Sequence, residues 1–300
     1  MTLVEGQIES SKKLREVLDG NNVTRFSSIG DINCFLKSYD SEKYNITKNE
    51  EYALNLEIHS LKEKLNQTEE KRKRNLLTKC LLFVPSITLK RKCTYLTSNC
   101  NLIVSERIAK KKKELEFTRN LVDSLYPLIA GAVGENQVVK EIQKLSDNYY
   151  LINDFSLDFN PPIYDKRDKD RIFSIQIDHL LVSRSGLFIL ETKNWSEESI
   201  NSFDLRSPVK QIKRTSYALF VLLNSDSKSN RSSLARHHWG IRKIPIRSII
   251  VMINRKPKEE FKHVKVLSLK ELNGYIKYFD PIFSETEVEN IFRELKNETH

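Results

Sequence analysis

Residues 172–194 read IFSIQIDHLLVSRSGLFILETKN, and this segment indicates the central β-structure of the chain. Two apolar runs flank the short polar segment Arg184-Ser185-Gly186, which is the pattern of a β-hairpin. Three charged residues stand where such strands usually carry apolar ones, and these are Asp178, Glu191 and Lys193. Because buried charges need a partner or a ligand, these three positions are the first candidates for a functional site.

The length of the turn determines which charged residues lie together. With Arg184-Ser185 as a two-residue loop, Asp178 falls opposite Glu191. With Ser185-Gly186 as the loop, Asp178 falls opposite Lys193 instead. Either register places all three charged groups on one face, because side chains alternate along a strand. A three-residue loop would move Asp178 off that face, so the prediction depends on the turn.

Two neighbouring carboxylates repel each other unless a cation lies between them. Mg²⁺ fits this position, because it takes oxygen ligands and keeps bound waters. A metal ion there would polarise a phosphate oxygen and lower the pKa of a bound water, while Lys193 would orient that water or stabilise developing negative charge. The alternative is a purely structural ion pair of Lys193 with Asp178 or Glu191. The apolar residues around them predict a half-buried face, which favours a functional site.

The composition points to an anionic partner. The 300-residue chain has a net charge of +10 and a pI near 9.2, which favours nucleic acid first and an anionic membrane surface second. A basic protein without such a partner is the alternative. The first twenty residues do not read as a signal peptide. The four cysteines form no CxxC pair and indicate reduced thiols rather than a zinc site.

Residues 1–126 are predicted to be a helical region. A capping box at Thr47 and Glu50 predicts a helix that runs to about residue 78, and a second helix is predicted at 105–126. The first helix carries an apolar seam of Leu54, Ile58, Leu61 and Leu65. Together the helices predict an antiparallel hairpin, through whose seam a homodimer could also form. Its basic runs at 71–74, 90–92 and 110–113 either follow a phosphate backbone or form a solvated face.

The most apolar run of this region lies between the two predicted helices, at residues 80–89. It is far shorter than the roughly 20 residues of a spanning helix, and Pro85 interrupts it. A buried turn or a partner-facing patch is the prediction for this segment. No amphipathic membrane anchor is evident, so we expect a cytoplasmic protein without a membrane partner.

Residues 127–300 are predicted to be an α/β domain. The expected order is a helix at 134–145, a strand at 149–157, a loop at 158–171, the hairpin, a helix from Pro208, strands at 247–253 and 264–268, and final helices at 269–277 and 285–297. Glu135 in the first helix and Gln211 in the helix after the hairpin are either site residues or ordinary surface residues. His179 is predicted to be structural. The cluster at 236–239 either contacts nucleic acid or belongs to a flexible basic loop.

The order of these residues resembles the nuclease-related domain (NERD) family of the PD-(D/E)XK nuclease superfamily. The resemblance covers about residues 127–255 and rests on Gly134-Glu135, Gln176-Ile-Asp178, Glu191-Thr-Lys193-Asn-Trp195 and Pro208-x-x-Gln211. It implies an α/β fold with a restriction-endonuclease-like mixed sheet flanked by helices. In this chain an N-terminal α-helical hairpin would precede that domain.

The resemblance also implies roles for individual residues. Asp178 and Glu191 would be metal ligands, Glu135 an outer carboxylate that acts through water, Lys193 the catalytic lysine and Gln211 a supporting residue. The implied cofactor is Mg²⁺, with Mn²⁺ as a substitute, and the implied substrate is DNA. We therefore predict a metal-dependent DNA endonuclease that acts in defence against foreign DNA, with an ATPase or helicase as a protein partner. The alternative is a non-catalytic nucleic-acid-binding or assembly subunit that retains the nuclease fold.

Overall fold

The structure is a computed structural model that describes residues 2–73, 76–146, 148–195, 206–224, 243–257 and 259–298. The chain divides into two compact units, Met1–Asn22 with Tyr126–His300 and Val23–Leu125. The first unit thus includes residues 1–22. The sequence-based division at residue 126 places this N-terminal segment in the helical region instead. The predicted basic cluster at 236–239 lies outside the described residues.

Within the described residues, six strands form one mixed sheet at the centre of the first unit. They are β1 (Leu3–Glu5), β2 (Tyr149–Asp165), β3 (Asp170–Ser183), β4 (Gly186–Lys193), β5 (Ile246–Met252) and β6 (Val264–Ser268), and they lie side by side in this order. The neighbours β2, β3 and β4 are antiparallel, whereas β1 runs parallel to β2, β5 to β4 and β6 to β5. The mixed sheet confirms the predicted fold class.

The helices of the described residues are α1 (Glu9–Gly20), α2 (Ile29–Lys73), α3 (Leu76–Leu81), α4 (Phe83–Ser98), α5 (Cys100–Ser124), α6 (Tyr126–Ile142), α7 (Arg206–Asn224), α8 (Leu269–Lys277) and α9 (Glu285–Glu298). Apolar side chains of α6 and α8 pack on one face of the sheet, and those of α7 and α9 pack on the other. We call these the α6 face and the α7 face. The sheet is therefore the middle layer of three, which buries both of its faces.

The predicted loop at 158–171 is wrong, because strand structure occupies most of it. β2 continues to Asp165 and β3 begins at Asp170. Ile163 pairs with Ile172, and both side chains are buried. The register shifts between Asp158 and Ile163, so an irregularity in β2 accommodates the two prolines that had suggested a loop.

The helix predicted to begin at Thr47 begins earlier. The Ser28 N–H donates to Asp31 Oδ2 at 2.8 Å, and the Asp31 N–H donates to Ser28 Oγ at 3.2 Å. This reciprocal pair caps α2 at its start. The predicted box of Thr47 and Glu50 is wrong, because both residues lie inside α2 and the buried Glu50 carboxylate pairs with Lys111.

The second unit contains the predicted helical hairpin. α4 and α5 follow each other with only Asn99 between them and pack against α2. In the centre of this packing, Leu54, Ile58 and Leu61 of α2 meet Leu96 and Val104. The segment between the two predicted helices is itself largely helical, as α3 and α4. Among the helices that the structure describes, none has the length and apolar character needed to cross a membrane.

Candidate active site

The β3–β4 hairpin turns through Arg184-Ser185, since Ser183 pairs with Gly186. This result confirms the two-residue turn and selects the first of the two predicted registers. Gly186 has a φ of 119°, and a Cβ atom there would lie 2.5 Å from a backbone carbonyl oxygen. Only glycine fits this conformation and this space without strain, so the turn and the register depend on it.

The two strands separate just before the charged residues. Their pairing extends from the turn to His179 and Leu190, one position short of Asp178 and Glu191. At that point the Asp178 carboxylate accepts a hydrogen bond of 2.8 Å from the Thr192 backbone N–H. A side-chain oxygen therefore satisfies a backbone donor where the strands part, and this fixes the position of the carboxylate.

β2 and β3 are both irregular beside Asp178. Asp154, on the neighbouring strand, has a φ of 50°. Ile152 and Phe155 contribute to the same core although they lie three residues apart in β2, where regular alternation would put them on opposite faces. Ile177 and Leu180 of β3 are also three residues apart and likewise contribute to one core, so the alternation of β3 is interrupted as well. The regular alternation used for the sequence prediction is thus interrupted at the candidate site.

Lys193 neutralises one of the two carboxylates. Its Nζ atom donates to Glu191 Oε1 at 2.7 Å, and the two side chains are 22% and 11% exposed. The residues are two apart in β4 and so project from the same side of the strand. Since the lysine bonds to Glu191, Asp178 is left without an ion-pair partner among the residues that the structure describes.

The surroundings of Asp178 disfavour the charged form of its carboxyl group. Burial, and next the charge of Glu191, raise its pKa from the usual 3.8 to about 8, and Glu135 adds to this. The Thr192 N–H and the Lys193 ammonium act in the opposite direction but do not compensate. Without a further cation, Asp178 is therefore mostly protonated at neutral pH. A bound cation would lower this pKa again, because it favours the charged carboxylate.

Glu135 is buried on α6 and is held by the N-terminal segment. The Ser10 hydroxyl, in the first turn of α1, donates to Glu135 Oε1 at 2.5 Å. Burial raises the pKa of Glu135 despite this hydrogen bond, and the charges of Glu9 and Glu191 contribute. Sequence reasoning found Glu135 but missed Ser10, which no local motif connects with a helix 125 positions away.

Asn194 positions α6 against the end of β4. Its Nδ2 atom donates to the Ala130 carbonyl oxygen of α6 at 2.6 Å. Gly134 makes a close approach possible, because a Cβ atom there would lie 3.0 Å from Asn194 Cβ and 3.3 Å from Thr192 Cγ2. The glycine before Glu135 thus lets α6 pack close to β4. Sequence reasoning quoted Gly134 and Asn194 but gave them no role.

Gln211 and His179 differ from the other candidates. Gln211 is exposed on α7, on the opposite side of the sheet from α6, and no hydrogen bond joins it to Lys193 in the part of the chain that the structure describes. His179 is fully buried, and burial lowers its pKa to about 3. Its Nδ1 lies 2.7 Å from Asn153 Oδ1, so the neutral ring is a structural element of the sheet.

The site suits a metal that needs few protein ligands. No three side chains of His, Cys, Asp or Glu are grouped closely enough to hold a metal ion within the described residues. The two adjacent carboxylates are Asp178 and Glu191. Mg²⁺ is commonly bound by one or two carboxylates, with water and substrate phosphate completing its coordination. The pKa of Asp178 is raised by burial first and by the charge of Glu191 second, and a cation at this position would oppose the second effect.

Comparison with known proteins agrees with the resemblance read from the sequence. The family model of the nuclease-related domain matches residues 130–253. The matched segment contains all five candidate site residues, from Glu135 to Gln211. A search of curated proteins and a search of solved structures gave no match.

Proposed function

Since residues 130–253 form a nuclease-related domain, we propose that the chain is a metal-dependent DNA endonuclease with its active site where β3 and β4 separate. The observation that carries this proposal is the partly buried Asp178 beside Glu191, with a pKa raised to about 8. Keeping such a pair is unfavourable for folding unless the site binds a cation. A structural ion pair would not need the second carboxylate.

Asp178 and Glu191 would hold Mg²⁺ or Mn²⁺, which would supply polarisation of a phosphate oxygen and a bound water of lowered pKa. The Thr192 N–H keeps Asp178 oriented for this role. Lys193 bonds to Glu191 in the metal-free protein. Once a cation balances Glu191, the ammonium of Lys193 is available to stabilise negative charge that develops on the phosphate.

The two remaining candidate residues, Glu135 and Gln211, lie on helices that cover opposite faces of the sheet. Glu135, on the α6 face, is an outer carboxylate that acts on the site through water and through its charge. Its charge already raises the pKa of Asp178, which places it within electrostatic reach. Gln211, exposed on α7, is suited to contact a phosphate of the bound strand and needs no contact with Lys193.

The substrate and context follow from charge and resemblance. The net charge of +10 supports DNA as the polyanionic substrate. Defence against foreign DNA, a cytoplasmic location and an ATPase or helicase partner extend the proposal by resemblance to the family. A homodimer through the hairpin of α2, α4 and α5 belongs to the same proposal.

The test is cleavage of supercoiled plasmid with Mg²⁺ or Mn²⁺. Asp178→Asn and Lys193→Met should each lower the cleavage rate about 100-fold or more. Asp158→Asn and Lys265→Met are matched controls, because both side chains are exposed on strands of the same sheet. Cleavage that survives both site substitutions would show that another site is responsible.

One observation favours the non-catalytic alternative. In the described residues, Lys193 bonds to Glu191 and Ser10 bonds to Glu135, so two of the three acids already have partners. A binding subunit with the nuclease fold could keep these contacts for stability alone. Tight DNA binding in the presence of EDTA, with no cleavage of DNA or RNA in Mg²⁺ or Mn²⁺, would support this alternative.

A further inference from the structure

The helical hairpin carries a long segment of one charge sign. Residues 71–105 contain no aspartate or glutamate, and their basic residues are Lys71, Arg72, Lys73, Arg74, Lys79, Lys90, Arg91 and Lys92. The segment covers the end of α2, all of α3 and α4, and the start of α5. Acidic residues are frequent on both sides of it. This segment is therefore strongly basic, although Lys92 pairs with Glu57 of α2 at 3.5 Å.

The middle of that segment exposes large apolar side chains. Leu77, Leu81, Phe83 and Val84 are 76%, 74%, 50% and 66% exposed. We call these four residues the apolar tip, because the chain reverses direction here between α2 and α4. Leu77 and Leu81 are four positions apart in α3 and so lie on one side of that helix. The Arg72 guanidinium lies 5.2 Å from the Phe83 ring, so a cation borders the tip.

An exposed group of leucine, phenylalanine and valine side chains is unfavourable in water and usually marks a contact surface. We propose that the apolar tip docks on the surface of a membrane that contains anionic phospholipid. In this mode the apolar side chains enter the boundary between head groups and acyl chains, while the surrounding lysines and arginines attract lipid phosphates. The combination of an exposed apolar centre and a segment with eight basic and no acidic residues fits this partner.

Neither a nucleic acid nor a second copy of the chain would match both the apolar and the basic residues of this surface. A nucleic acid backbone would use the basic residues but would leave the apolar tip in water. A second copy of the chain would cover the apolar side chains but would bring two strongly basic segments together. The proposal departs from the sequence-based expectation of no membrane partner. That expectation rested on the lack of an evident anchor, and the sequence did not reveal that these side chains are exposed.

Vesicle flotation with the full-length protein tests the proposal. Vesicles of phosphatidylcholine alone are compared with vesicles that also contain phosphatidylglycerol. The protein should float with the anionic vesicles, and high salt should release most of it. Replacing Leu81 and Phe83 together with serine should lower the partition coefficient at least about tenfold. The matched control replaces Leu56 and Phe117 of the same unit, which are 59% and 50% exposed, with serine and should bind like the wild type.

A charge-reversal pair tests the rim separately. Lys71→Glu with Lys79→Glu should also lower binding at least about tenfold, whereas Lys62→Glu with Lys64→Glu has the same net charge and should bind more tightly than the first pair. All four lysines are exposed, so folding should be unaffected.

Three results would overturn the proposal. The first is equal flotation with neutral and anionic vesicles, or with neither. The second is equal loss of binding in the tip variant and its matched control. The third is self-association or DNA binding that depends on the tip in the absence of any vesicle binding. Nuclease activity is read out independently, since none of the substituted residues lies in the nuclease-related domain.

Discussion

Replacing Asp178 with asparagine should stabilise the metal-free protein near neutral pH while it abolishes cleavage. Asparagine keeps the size of the side chain and an oxygen that can accept the hydrogen bond from the Thr192 N–H. It removes a carboxyl group whose pKa is raised to about 8 by burial and by Glu191. In the unfolded chain this pKa returns to about 3.8, so folding takes up a proton at any pH between the two values.

The sign and size of the effect follow from this difference. The contribution of Asp178 to the free energy of unfolding falls by about 1.4 kcal/mol per pH unit as the pH rises from 3.8 towards 8. His179 has the opposite effect, because burial lowers its pKa from 6.5 to about 3 and its contribution is lost as the pH falls below 6.5. The two slopes oppose each other in acid. Above pH 6.5 only the acids with raised pKa values still lower the stability, and Asp178 should remove about 1–2 kcal/mol from the wild type between pH 6.5 and 8, with Glu135 acting in the same direction.

Urea unfolding over this pH range, with EDTA present, measures the effect. The wild type should lose stability as the pH rises, and Asp178→Asn should lose clearly less, since only Glu135 still contributes. Excess Mg²⁺ should stabilise the wild type alone, because a ligand that binds only the folded state shifts the equilibrium towards it. Asp158→Asn, an exposed acid of β2, should behave as the wild type. A slope in Asp178→Asn equal to that of the wild type would refute the reasoning.

Three further substitutions test the surroundings of the site by urea unfolding. Ser10→Ala should lower the free energy of unfolding by about 1–2 kcal/mol, because the buried Glu135 carboxylate loses a hydrogen bond. His179→Gln should abolish the loss of stability that this histidine causes below pH 6.5, since glutamine takes up no proton on unfolding. Gly186→Ala should destabilise by more than about 1 kcal/mol because of its φ of 119°, whereas Gly274→Ala, in a helix with open space around it, should stabilise by up to about 1 kcal/mol.

Each of these three predictions can be contradicted by a specific result. Ser11→Ala is the control for Ser10→Ala, and equal stability of the two variants would mean that the Glu135 contact contributes nothing. An acid profile of His179→Gln identical to that of the wild type would assign the proton uptake to other groups. If alanine were tolerated as well at Gly186 as at Gly274, the close approach at the turn would be disproved.

Local signals explain why so much of the second half of the chain could be predicted. The helix predicted at 269–277 is found with the same bounds, because Ser268 and Glu271 cap it reciprocally. A short turn within Arg184-Ser185-Gly186 follows from the polar residues between two apolar runs, although the sequence left open which two of them form the loop. Such features depend on neighbours in sequence, and therefore a single sequence is sufficient to read them.

Contacts between distant residues explain what could not be predicted. The sequence gives no sign that Thr2 bonds to the Ile142 carbonyl, or that β1 adds a strand beside β2. The Ser10–Glu135 contact likewise joins segments separated by the whole helical unit. Conversely, Thr47 and Glu50 match the pattern of a capping box but lie inside α2. The local pattern is overridden there, because α2 packs against α4 and α5 along its length.

The position of Asp178 connects the irregularity of the sheet with the chemistry of the site. A regular hairpin would use the Thr192 N–H in backbone pairing and would leave no room for a carboxylate between the strands. β2 and β3 are irregular beside Asp154 and Asp178, the pairing of β3 with β4 ends at the same level, and the Asp178 side chain accepts that hydrogen bond instead. The same residue thus replaces a backbone hydrogen bond and adds a charge beside Glu191. Alanine at this position would remove both, leaving a donor unsatisfied at a cost of about 1–3 kcal/mol. Asparagine removes only the charge, so it is the substitution that separates the contribution of Asp178 to the fold from its contribution to catalysis.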